Sequence, residues 1–266
     1  MSLPYWDSSL DFNLKEPAYS IIWSPAFMGN GDGFVVTGPF AKWQAGKKVP
    51  LTRNIAGDST LISRQNIAAI LSRCRTTEIV SPWAKPKFDF ELAHAGIHGW
   101  VGGHMFGMNT AAADPIFFLH HAFIDYIWEL FRQRQAYVCK INPETDYPPS
   151  KGLHGPKRPM DGIPGYRNID GFRSFWTQFW YNYEPSPTCS KKKPSCGTPY
   201  LQCEPSSGVC FPVTRKVSPD EAKPYALSPR ANRGRAQALS INVGPIFRVP
   251  PPDPRTQAAL LPGVKG

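Results

Sequence analysis

Five of the six histidines in this 266-residue chain fall between His94 and His121, and none precedes His94. That crowding constrains the fold more than anything else in the sequence. His94 and His98 are four apart, so on a helix both imidazoles rise from one face, a turn apart. Asp114 and Pro115 read as a helix start, because Asp is a preferred cap and Pro costs nothing in the first turn. The helix they open carries His120, His121, Asp125 and Trp128. Two helices that bring three imidazoles together make a site for copper or zinc. His120 stands about 100° round the helix from His121 and is expected to point elsewhere. His104 follows Gly102-Gly103 and is expected on a loop, without a ligand role. His154, in a Pro/Gly-rich stretch, is expected in solvent.

The run Asp114-Pro115-x-Phe117-Phe118-x-x-His121-x-x-x-Asp125, with the His94/His98 pair before it, resembles the second copper-binding half, the CuB half, of tyrosinase-type copper proteins. The resemblance implies a mainly α fold, part of the helical-bundle domain that contains a di-copper centre. It also implies copper as cofactor, with His94, His98 and His121 as its ligands. In that family two coppers, each on three histidines, use dioxygen to oxidise phenols and catechols to o-quinones. Leu3 to Asp11 and Gly38 to Trp43 resemble the segment that follows the first copper half, whose three histidines lie upstream in the family. The first half is therefore absent from this chain, and the true N-terminus is expected to be missing. Family members that hydroxylate monophenols often carry Asn after the first CuB histidine, where with a nearby Glu it orients a water that takes the phenol proton. Here Ala95 occupies that position, with Glu91 as the candidate acid. Catechol oxidation is expected over monophenol hydroxylation.

Three further helices or motifs are legible. Apolar residues from Leu61 to Leu71 predict a helix over 59–74, capped by Asp58 or Ser59. The first histidine helix is expected over 88–98, ended by Gly99, Gly102 and Gly103, and the second over 114–135. Residues 1–60 read as ordered loop with short turns, and 140–165 as a Pro/Gly-rich loop. Tyr181 and Tyr183 resemble the tyrosine motif that closes the family's catalytic core, with hydroxyls that tie the chain end to it.

Cys189, Cys196, Cys203 and Cys210 are each seven apart. Paired zinc ligands usually sit two to four apart, so two local disulfides are the better reading, with three pairings open. Cys74 and Cys139 are left free or joined to each other. The segment Cys196 to Cys203 resembles a cysteine module that follows the copper domain in secreted molluscan-type tyrosinases. Disulfides imply an oxidising compartment, so a secreted protein is expected although Met1 opens no signal peptide. No apolar run reaches membrane-spanning length.

The net charge is +10, and twelve Lys and Arg against four Asp and Glu lie from Cys189 onward, so the first 188 residues are close to neutral. The expected organisation is a copper domain over 1–185, a cysteine module over 186–212 and a basic, Pro-rich tail over 213–266. The tail suits a solvated role or an acidic extracellular matrix. No nucleic-acid or membrane partner is expected. Two other functions compete with a phenol oxidase: a matrix protein with a remnant copper site, and an oxygen carrier of the haemocyanin type. The cysteine module, standing where the carrier has a β-sandwich, argues against the carrier.

Overall fold

The computed structural model describes residues 4–215. Four helices frame it: α1 (Ser8–Asp11), α2 (Arg64–Leu71), α3 (Phe90–Val101) and α4 (Ile116–Tyr137). Six short strands pair as three antiparallel ribbons: β1 (Asp32–Phe34) with β4 (Thr52–Asn54), β2 (Gln44–Gly46) with β3 (Val49–Pro50), and β5 (Leu201–Glu204) with β6 (Val209–Pro212). The architecture is mainly α, and the strands are clips between loops.

The helix starts follow from caps. Ser63 and Asn66 form a reciprocal capping box at α2, which satisfies two backbone donors that a helix start leaves open. The expected caps, Asp58 and Ser59, lie several residues too early, because Leu61 and Ile62 enter the core as extended chain before the helix begins. Asp89 caps α3 by accepting from the Leu92 backbone N–H at 3.0 Å. Gly102, at φ +63°, ends that helix. Gly99, by contrast, lies inside α3, which corrects its expected role as a terminator. A methyl group on Gly96 would come within 2.9 Å of the Thr60 carbonyl oxygen, and one on Gly99 within 2.9 Å of Ser59 Cβ. These glycines are there for close packing of helix on loop.

At α4 the cap is also an anchor. Asp114 Oδ1 accepts from the Ile116 N–H, while both carboxylate oxygens receive Arg53, at 2.7 Å each. Both side chains are fully buried. Arg53 also donates to the Met28 carbonyl and lies 5.4 Å from the centre of the Trp23 ring. One guanidinium thereby ties β4, the N-terminal loops and the start of α4 together.

The core runs from Trp6, Trp23 and Trp100 through Ile97 and Met105 to Ile116, Phe123, Ile127 and Phe131. Cys74 and Cys139 are disulfide-bonded, joining the end of α2 to the end of α4. Tyr181 and Tyr183 both donate to Asp125 Oδ2, at 2.8 and 2.7 Å, as their resemblance implied. In the cysteine-rich part the pairs are Cys189–Cys203 and Cys196–Cys210.

That module and the first residues of the expected tail do not stand apart from the core. Ile21 N–H donates to the Val213 carbonyl at 2.9 Å, Arg215 N–H donates to Tyr19 at 2.7 Å, and Phe27 packs edge-on to Tyr200 at 4.9 Å. Most of the expected basic tail, residues 216–266, lies outside the described residues.

Candidate metal centre

α3 and α4 bring four histidines together: His94, His98, His120 and His121, whose ligating nitrogens lie within 4.8 Å of one another. Within this group the Nε2 atoms of His94, His98 and His121 form a tight triangle, with edges of 3.0, 3.2 and 3.3 Å. Imidazole nitrogens bonded to one metal at about 2.0 Å stand roughly 2.8–3.5 Å apart, so the triangle has the size of a three-nitrogen ligand face.

Protonation agrees with that geometry. His98 Nδ1 lies 2.8 Å from the Met105 carbonyl oxygen. A carbonyl can only accept, so Nδ1 carries the proton and Nε2 presents a lone pair to the triangle. Burial lowers the pKa of His94 and pushes that of His121 down to about 4, so both are neutral at pH 7, the form in which imidazole binds metal. Facing lone pairs without a donor between them repel, and a cation between them turns that repulsion into bonding. Phe117 stacks on His121 at 4.0 Å and walls the site with an apolar surface.

His120 departs from the sequence reading. Its ring is fully buried and stacks on His94 at 5.2 Å, with His98 at 5.0 Å. Neither of its nitrogens has a hydrogen-bond partner among the described residues. Burial holds its pKa well below the ordinary histidine value. The 100° offset assumed to turn it away is overcome by reach: neighbouring Cα atoms are only 3.8 Å apart, and α3 lies between the two directions. The adjacent His pair was the available signal.

The other candidates fall where expected or outside the cluster. His104 sits on a short turn after Gly102, with Nδ1 3.0 Å from the Thr52 N–H and 2.9 Å from its hydroxyl. His154 is exposed. Ala95 is on the exposed side of α3. The Glu91 side chain is also exposed; partial burial and the nearby Asp89 carboxylate raise its pKa. Its carboxylate is not among the groups gathered at the triangle.

A helical scaffold with three convergent imidazoles defines a histidine metalloprotein, and sequence comparison narrows the class. Residues 1–134 match the common central domain of tyrosinase, so the chain belongs to the tyrosinase family of copper proteins. It is 36% identical over 223 residues to a tyrosinase-like protein of Caenorhabditis elegans, covering 79% of this chain and 32% of that one. It is 35% identical to a tyrosinase-like protein of Pinctada maxima, over 76% of this chain and 48% of the relative. With a tyrosinase of Streptomyces antibioticus it shares 32% identity over 57% of this chain and 59% of that enzyme. The chain thus spans about a third to a half of the length of its animal relatives. Among the described residues no helix is long and apolar enough to cross a membrane.

Proposed function

We propose that His94, His98 and His121 hold one copper through Nε2, and that the site serves the oxidation of phenols or catechols by dioxygen. The Nε2 triangle carries this reading. Imidazole binds copper well and leaves positions open for other ligands. Bound copper would supply a redox centre able to engage dioxygen. The protein's part is to hold the three nitrogens convergent, to keep His94 and His121 neutral by burial, to fix the His98 ring through Met105, and to give a flat phenol an apolar wall at Phe117.

Dinuclear chemistry needs three more histidines than this site provides, and His104 and His154 lie elsewhere. On this reading the chain is inactive alone and works with a second copper supplied by residues outside its 266. Ala95 offers no polar atom to hold a proton-accepting water, and the exposed Glu91 carboxylate is not among the groups gathered at the triangle. The active assembly therefore favours catechols over monophenols. The three disulfides support a secreted protein. A second reading, a matrix protein that keeps a single copper site and engages acidic polymers, draws on the basic residues beyond Cys189.

Metal analysis of the copper-loaded chain tests the site. One copper per chain is expected, lost in His94→Ala and in His121→Ala. Two coppers per chain, or full retention in both variants, would overturn the assignment.

A further inference from the structure

The cysteine module carries a knuckle of three consecutive lysines, Lys191, Lys192 and Lys193, between Cys189 and Cys196. From Pro185 to Cys203 these three are the charged residues; no Asp, Glu or Arg stands among them. The knuckle is a built turn. Ser190 N–H donates to the Lys193 carbonyl at 2.9 Å, and Lys193 N–H donates back to the Ser190 carbonyl at 3.1 Å and to Ser190 Oγ at 3.0 Å. That reciprocal pair leaves Lys191 and Lys192 as the corner, as in a two-residue hairpin loop. Disulfides hold both sides, Cys189 to Cys203 and Cys196 to Cys210. Every residue from Ser190 to Ser195 is exposed. Among the described residues none of the three lysines forms an ion pair.

Three ammonium groups on neighbouring residues repel one another, and a free chain would bend to spread them. Here the turn and the two disulfides fix the backbone beneath them. A polyanion then meets its cations already gathered, which lowers the ordering cost of binding. We propose that this knuckle binds a linear acidic polysaccharide, whose sulfate or carboxylate groups are held by Lys191, Lys192 and Lys193. The proposal rests on the reading in which the chain engages acidic polymers, and it places that contact on the module rather than on the tail. A small anionic molecule fits poorly, because such ligands bind in concave sites and every residue of the knuckle is exposed. A folded protein partner fits poorly too. Protein interfaces are anchored by buried aromatic or Arg side chains, and Ser190 to Ser195 holds only Ser, Lys and Pro. A polysaccharide brings repeated anions and little apolar surface, and the compact, strongly hydrated lysine ammonium meets them without a pocket. The module is tied to the core through Ile21, Val213, Phe27 and Tyr200. A polymer held at the knuckle therefore holds the histidine domain beside it.

Calorimetric titration of the full chain with heparin, a linear sulfated polysaccharide, tests the site. Saturable binding is expected, weakening as salt rises because bound counterions are released, and uncharged dextran should not bind. Three exposed ion pairs together change affinity by roughly threefold to a hundredfold, so Lys191→Ser/Lys192→Ser/Lys193→Ser should weaken binding by about tenfold. Arg230→Ser/Arg233→Ser/Arg235→Ser removes the same charge from the tail and should weaken it much less. Lys191→Arg/Lys192→Arg/Lys193→Arg keeps the charges and should bind as the wild type does. Near-ultraviolet circular dichroism confirms that each variant folds. Equal losses in the two Ser variants would make net charge the cause and overturn the knuckle, as would loss of binding in the Arg variant. Binding that survives removal of the lysines and is lost with the tail arginines would overturn it while the acidic-polymer reading stood. Tighter binding of poly-L-glutamate than of heparin would assign the knuckle to an acidic protein instead, and absence of any salt-sensitive binding would end both the proposal and that reading.

Discussion

His121 and His104 show how differently two histidines of one segment are used. His121 turns Nε2 into the triangle, with Phe117 stacked behind it, while His104 accepts from the Thr52 backbone. His104→Ala should therefore leave copper content nearly unchanged and cost about 1 kcal/mol of stability, the worth of one such hydrogen bond. Paired metal analysis and urea unfolding measure both; a loss of most of the copper would make His104 a ligand. Asp11 gives a prediction in pH. Burial raises its pKa from 3.8 to about 7, so the folded state binds the proton more tightly than the unfolded chain. The stability that goes with the protonated form is complete below about pH 4 and lost as pH rises to 7 and beyond. Asp11→Asn keeps an oxygen for Trp6 and removes the charge, so its advantage over wild type should grow from pH 5 to pH 8, by on the order of 1–3 kcal/mol. Thermal melts across that range are the check, and a constant difference between the two proteins would contradict it. The pairing of His94 with His98 was legible because spacing on a helix is a local property, while the choice of His121 came only with the resemblance. The place of His120 was not legible, because it depends on where α3 lies beside α4.

Among the elements, α3 bears the site and is held by its absences of side chain. Ala is the better helix former by roughly 0.5–1 kcal/mol, so propensity alone says that Gly96→Ala should stabilise. The added methyl would meet the Thr60 carbonyl oxygen at 2.9 Å, and backbone cannot swing aside as a side chain can. Gly96→Ala should therefore destabilise, by about 1–3 kcal/mol as overpacking does, and weaken copper binding, because a shift of α3 against the loop moves His94 and His98 out of register with His121. Chemical denaturation and a copper titration report the two effects, and a stabilised variant would show that the loop yields. The sequence placed α2, α3 and α4 within a few residues. It misplaced the α2 start and made Gly99 a terminator, since glycine signals helix end and close approach alike and only the packed loop tells them apart. The Arg53–Asp114 pair, 61 residues apart, could not be found locally. Asp114 was recognised as a cap, and its buried partner was not.

At the scale of the whole molecule, the Cys74–Cys139 bond spans 65 residues and encloses both histidine helices. Closing a loop of that length removes unfolded-chain entropy worth about 4 kcal/mol. A Cys74→Ser/Cys139→Ser variant should lose roughly that much in urea unfolding while still binding copper at saturating metal, because no ligand sits on the bond. The last prediction concerns turnover. Each of the four clustered histidines gives one nitrogen to a single group within 4.8 Å, and the remaining two, His104 and His154, lie outside the cluster. A single three-nitrogen copper cannot share dioxygen with a second metal, so the isolated copper-loaded chain should consume no oxygen with catechol or tyrosine above a metal-free control. If a polypeptide supplying the second three-histidine half restores activity, catechol should be turned over faster than tyrosine. Ala95→Asn should then raise tyrosine turnover by tenfold or more, given the roughly 10²–10⁴ that a placed base contributes. Oxygen uptake with both substrates measures each step. Catechol turnover by the isolated chain would show that one copper suffices, and the dinuclear reading would fall while the ligand triad stood.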